Sequence, residues 1–128
     1  MRRSARVLVI DDDPDVRTTI RWILEAEGFV VSLAANGQEG LDLLRREPAD
    51  VVVTDIFMPE KEGIETIAEL RRSFPQLPIF VVSGGGSARN TDYTVVAREL
   101  GAQQIFKKPL DPQKLIDALH ETLGTSAG

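Results

Sequence analysis

The feature that most restricts how this chain can fold is an alternation, five times over, between two hydrophobic periods. Short, nearly continuous β-branched runs occur at residues 7–10, 29–33, 51–54 and 79–82, with a weaker one at 104–106. Runs of that length without polar alternation suit strands that are buried on both faces. Between them, apolar residues recur at helical spacing. The first helix is expected to open with Asp13 as N-cap and Pro14 at its first position, to bury Val16, Ile20, Ile23 and Leu24, and to stop at Gly28. The second begins at Asn36, whose spacing to Glu39 forms a capping-box-like pair, and buries Leu41 and Leu44. The third runs from about 63 to 74, with Ile64, Ile67 and Leu70 inward and Pro75 beyond its end. The fourth falls within 87–100, with Val95, Val96 and Leu100 as its apolar side and Gly101 as its stop. The fifth starts at Asp111 and Pro112 and packs Leu115, Ile116, Leu119 and Leu123. Such alternation implies an α/β fold: a mainly parallel sheet, helices on both faces, right-handed crossovers.

Composition sets the outer bounds. At 128 residues and 42% hydrophobic, the chain can build one core, and a single domain over 1–128 is expected, with its core at 6–123 and a flexible tail at 124–128. Twenty acidic against fifteen basic residues give a net charge of -5, which argues against nucleic acid and anionic lipid as partners and leaves proteins or small ions. The absence of cysteine excludes disulfides, thiolate metal sites and thiol catalysis. No apolar run is long enough to cross a bilayer, and the first six residues lead directly into a strand pattern rather than a secretory signal, so a cytoplasmic location is expected.

Ligands of open parallel sheets bind beyond the carboxyl ends of the strands. The residues there are Asp11, Asp12 and Asp13 after the first strand, Asp55 after the third, Ser83 after the fourth, and Lys107, Lys108 and Pro109 after the fifth. An acidic pair ahead of a helix is ordinarily a cap, and Asp13 with Pro14 reads that way. Capping explains neither Asp55 nor a lysine from a distant strand. Carboxylates converging from neighbouring strands repel one another unless protonated or matched by a cation. An all-oxygen donor set with no cysteine or nearby histidine favours Mg²⁺. A carboxylate so placed can attack an electrophilic phosphorus, while a lysine and a serine hydroxyl meet phosphoryl oxygens.

Over about 6–123 the chain resembles the receiver domain of bacterial response regulators, the CheY-like phosphoacceptors of two-component systems. The residues that carry the resemblance are Asp11 and Asp12 after Val9-Ile10, the segment Asp55-Ile56-Phe57-Met58-Pro59 with Gly63 eight positions after the aspartate, Ser83, and Lys108-Pro109. It implies a flavodoxin-like (βα)5 three-layer sandwich with strand order 2-1-3-4-5. It implies that Asp55 accepts a phosphoryl group from a sensor histidine kinase or a histidine phosphotransfer protein. Asp11, Asp12 and Asp55, with the Phe57 backbone carbonyl, would hold Mg²⁺; Ser83 and Lys108 would contact the phosphoryl group, leaving Lys107 solvated. A regulatory domain rather than a dedicated enzyme is expected, altering the binding of a downstream protein as a monomer or a phosphorylation-dependent dimer. Two alternatives are an interaction module that is never phosphorylated and an aspartate-nucleophile phosphohydrolase. The latter would want a substrate cap and a further general acid, neither of which is visible. Nothing after the fifth helix resembles an output domain.

Trp22 projects away from the buried stripe of the first helix, on the side of Asp15, Thr18 and Thr19. In receivers this side, together with the residue after the Lys-Pro pair, here Leu110, resembles the surface that docks the histidine-bearing donor. Aromatic residues are enriched among interface hot spots, which makes Trp22 a candidate anchor. The glycine run at 84–86 lacks the Rossmann and Walker spacings and reads as a lead into the fourth helix. His120, the only histidine, reads as a surface residue. The chain departs from the family at Ile105, where many receivers carry the aromatic residue that couples the serine or threonine to output. Phe106 is adjacent but should face the other side of its strand.

Overall fold

Strands and helices alternate as β1 (Arg6–Ile10), α1 (Pro14–Ala26), β2 (Val30–Ala34), α2 (Gly37–Arg46), β3 (Val51–Asp55), α3 (Glu62–Ser73), β4 (Ile79–Ser83), α4 (Tyr93–Glu99), β5 (Gln104–Lys107) and α5 (Pro112–Leu123). The computed structural model describes residues 4–56, 62–83, 93–107 and 109–124. All strand pairs are parallel, and the sheet order is β2-β1-β3-β4-β5. The chain therefore steps outward from β1 to β2, then crosses back to the other side of β1. The crevice of such a sheet opens where the order reverses, at the carboxyl ends of β1 and β3.

Alternate residues of each strand serve different helical layers. Leu8, Ile10, Val52, Ile79 and Val81 pack with Leu41 and Leu44 of α2, Ile67 and Leu70 of α3, and Ala97 of α4. Val7, Val9, Val53, Phe80 and Val82 pack with Ile20 and Leu24 of α1 and Leu115 and Leu119 of α5. Both faces are dry, which is why the strands read as unbroken apolar runs rather than as alternating patterns.

The helix ends follow local chemistry. Asp13 accepts from the Asp15 amide at 2.9 Å with Pro14 at the first helical position, and Asp111 accepts from the Gln113 amide at 3.0 Å ahead of Pro112. Asn36 accepts from the Glu39 amide at 2.9 Å, while the Glu39 carboxylate reaches back to the Ala35 amide at 2.6 Å, one residue before the cap. Gly101, at φ +102°, turns the chain after α4, with the Ala102 amide returning to the Ala97 carbonyl at 3.0 Å.

Helix α4 departs from the expectation at Val95, while Leu100, just after it, packs on the core as expected. Val95 is 51% exposed, and the fully buried contact is Ala97; the Val96 side chain and residues 84–92 lie outside the described residues. A seven-residue helix presents a narrow face, and a small residue there lets it lie close on the sheet. Ile105 and Phe106 do face opposite sides. Ile105 joins the layer of α2, α3 and α4, while Phe106 joins that of α1 and α5, its ring centroid 5.8 Å from that of Phe80.

Candidate functional site at the carboxyl ends of β1 and β3

Asp55 is the last residue of β3 and lies in register with Val82 of β4. Ile10 of β1 pairs with Thr54, so Asp11, one residue on, comes alongside Asp55. Each is 3% exposed, two carboxylates among very few polar groups in an otherwise apolar interior. Asp12 is exposed. One oxygen from each of Asp11, Asp12 and Asp55 falls within 4.8 Å of the others. At an effective dielectric of about 20, unit charges that far apart repel by roughly 3 kcal/mol, a repulsion that a bound cation would offset.

Several contacts fix this geometry. The Asp11 amide donates to Ala34 of β2 at 3.1 Å, its Oδ1 accepts from the Asp13 amide at 2.9 Å, and its carbonyl accepts from the Arg17 guanidinium at 2.7 Å. Beyond Asp55, the Ile56 amide donates to Val82 at 3.0 Å, extending the ladder past the carboxylate. The start of α3 crosses so close to Ile56 that only glycine fits at position 63, where any Cβ would collide with the Ile56 carbonyl.

The three carboxylates suit Mg²⁺. Their oxygens lie within 4.8 Å of one another, close to the roughly 4 Å between opposite oxygens of an octahedral shell, and exposed Asp12 leaves one side open for the waters that Mg²⁺ retains.

Ser83 ends β4 half-buried, in register with exposed Lys107 of β5. Phe57 and Lys108 lie outside the described residues, as do Met58 and Pro59. Around α1 the expected docking residues separate. Asp15 and Leu110 border an apolar groove of about 340 Å³ between α1 and the start of α5, lined also by Val16, Thr19, Ile20 and Ile23. Thr18 and Trp22 are exposed outside that groove, Trp22 at 69%. His120 is half-buried rather than freely exposed. Its side chain is 15% exposed, 3.7 Å from Glu27 and stacked at a tilt on Phe29, centroids 5.5 Å apart, so that it seals the seam between α5 and the turn after α1.

Arg17 escaped sequence reasoning because its contact is with a backbone carbonyl, which no side-chain motif encodes. The one available signal was a cation in the first turns of a helix that follows three aspartates.

Among the described residues no helix is long and apolar enough to cross a membrane. The model of the response regulator receiver domain family matches residues 7–120. The transcriptional regulatory protein GlrR of Escherichia coli K12 is 33% identical over 125 residues, covering 98% of this chain but 28% of GlrR. The transcriptional regulatory protein CpxR of the same organism is 33% identical over 121 residues, covering 94% of this chain and 50% of CpxR. This chain thus spans half or less of either relative. A CheY-like receiver domain protein from Methanospirillum hungatei JF-1 superposes with a TM-score of 0.85 at 30% identity over 95% of both chains. With its strand order, its paired strand-end aspartates and a family match over nearly its whole length, the chain belongs to the response regulator receiver domains.

Proposed function

We propose that this domain is a phosphoacceptor switch in which Asp55 receives a phosphoryl group from the phosphohistidine of a sensor kinase or phosphotransfer protein. The observation that carries this reading is the convergence of Asp11, Asp12 and Asp55 within 4.8 Å, with Asp55 fixed at a strand end rather than on a free loop. An Asp55 carboxylate oxygen attacks phosphorus as the bond to the donor nitrogen breaks. The phosphoryl group then sits on Asp55 as an acyl phosphate, and the donor histidine, already protonated on its other ring nitrogen, keeps the electron pair of the broken N–P bond and leaves as neutral imidazole. Asp11, Asp12 and Asp55, with the Phe57 carbonyl that the family resemblance adds, would hold Mg²⁺, which would offset charge spread over the phosphoryl oxygens. Ser83 and Lys108 take the remaining oxygens, the lysine as a compact charge. Burial of Asp11 and Asp55 strengthens each of these interactions by excluding water.

Donor docking is assigned to Asp15 and Leu110, which border the α1 groove, and to Thr18 and Trp22, exposed outside it. The output is altered protein binding through α4, β5 and α5. Incubating the chain with a small acyl-phosphate donor, with and without a Mg²⁺ chelator, and reading intact mass tests the reaction. The expected gain is one phosphoryl group only when Mg²⁺ is present. Equal gain in the chelated sample would refute the metal's part, and no gain in either would favour an interaction module.

A further inference from the structure

Asp11 is held through its backbone as well as its side chain. The bonds from its amide to Ala34 and from the Asp13 amide to its Oδ1 come from the strand end and the turn itself. The third bond depends on one side chain, that of Arg17, whose guanidinium nitrogen lies 2.7 Å from the Asp11 carbonyl oxygen in a half-buried position. Arg17 is placed to do this by the first turn of α1, where its own amide bonds the Asp13 carbonyl at 3.0 Å.

We propose that Arg17 is a positioning residue for the cation site of Asp11, Asp12 and Asp55: its bond to the Asp11 carbonyl locks the Asp11–Asp12 peptide. The proposal rests on the reading that the cluster holds Mg²⁺. The Asp11 carbonyl and the Asp12 amide belong to one rigid peptide unit, so anchoring the carbonyl fixes that plane and the direction in which the Asp12 side chain leaves the backbone. Asp12 gains most from this. Asp11 and Asp55 are fixed by burial, whereas the exposed Asp12 side chain retains rotamer freedom that metal binding must remove. Charge-assisted bonds such as the one Arg17 makes are shorter and stronger than neutral ones, consistent with the separation observed.

Calorimetric titration of Mg²⁺ into the whole chain, for wild type, Arg17→Gln and Arg17→Lys, tests the proposal, with the Tm of each measured without metal. Arg17→Gln should bind Mg²⁺ on the order of tenfold more weakly, as when hydrogen-bond partners of metal ligands are removed, and Arg17→Lys should fall between it and wild type. Affinity of Arg17→Gln within about threefold of wild type overturns the role, whatever happens to its Tm, because a merely structural arginine would lower Tm alone. Arg17→Lys no better than Arg17→Gln overturns it too. Should Arg17→Gln not fold, Arg17→Lys decides against wild type: a weaker Kd supports the role and an unchanged one overturns it. Failure of the wild type to bind Mg²⁺ would instead remove the underlying metal-site reading.

Discussion

The α-carbon of Gly63 rests against the backbone of Ile56, so that a methyl group at position 63 would stand 2.8 Å from the Ile56 carbonyl carbon and closer still to its oxygen. Ile56 directly follows Asp55, and its amide continues the β3–β4 ladder. Because the obstacle is backbone rather than a flexible side chain, Gly63→Ala must move α3 or the strand end. It should destabilise the domain by about 1–3 kcal/mol in urea unfolding and slow phosphorylation of Asp55 in the variant that remains folded. Unchanged stability would mean that α3 can withdraw freely from the site.

Arg71 joins three segments at the opposite end of the sheet. Its guanidinium donates to the carbonyls of Pro75 at 2.8 Å, Leu77 at 2.9 Å and Gly101 at 2.8 Å, tying the end of α3 to the turn between α4 and β5. Arg71→Ala should cost about 1–3 kcal/mol and raise amide exchange at residues 101–103 more than in β1 or β3. Uniform exchange across the sheet would show that the clamp is not local.

Trp22, 69% exposed, packs against no core cluster. Trp22→Ala should therefore leave unfolding stability within about 0.5 kcal/mol of wild type. Phosphoryl transfer from the cognate histidine donor should slow, while phosphorylation by a small acyl phosphate should not. An unaltered rate from the protein donor would remove Trp22 from the docking surface.

Ile105 stands where an aromatic side chain would be expected to reorient, and it packs in the layer of α4. On binding a phosphoryl mimic, the Ser83 and α4 resonances should shift while the Ile105 side chain keeps its rotamer. A methyl NMR comparison reads this directly, and a change of χ1 at Ile105 as the main response would count against it.

Most of the fold was legible because both faces of the sheet are buried. That burial produces unbroken runs such as Val51-Val52-Val53, and caps such as Asp13-Pro14 mark where helices start. Strand ends were read one residue short at Asp55, Ser83 and Lys107, since polar residues look like loop, and β2 was read one residue early because apolar Phe29 continues its run. Helix α4 was the weakest reading: Val95 was expected in the core stripe with Leu100, yet Val95 is exposed and Ala97 is buried beside Leu100. At the site, the aspartates were visible as residue types at strand ends. The Arg17 contact and the burial of His120 were not, because both depend on how elements meet rather than on local pattern.

The most direct measurement is to locate the phosphoryl group. Brief treatment of the chain with Mg²⁺ and an acyl-phosphate donor, reduction of the acyl phosphate with borohydride, and tandem mass spectrometry of the digest would convert a phosphorylated aspartate to homoserine at its own position. The expected result is conversion at Asp55 alone, abolished in Asp55→Asn. Conversion at Asp11 or Asp12 with Asp55 intact, or conversion that persists in Asp55→Asn, would contradict the assignment of Asp55 as phosphoacceptor.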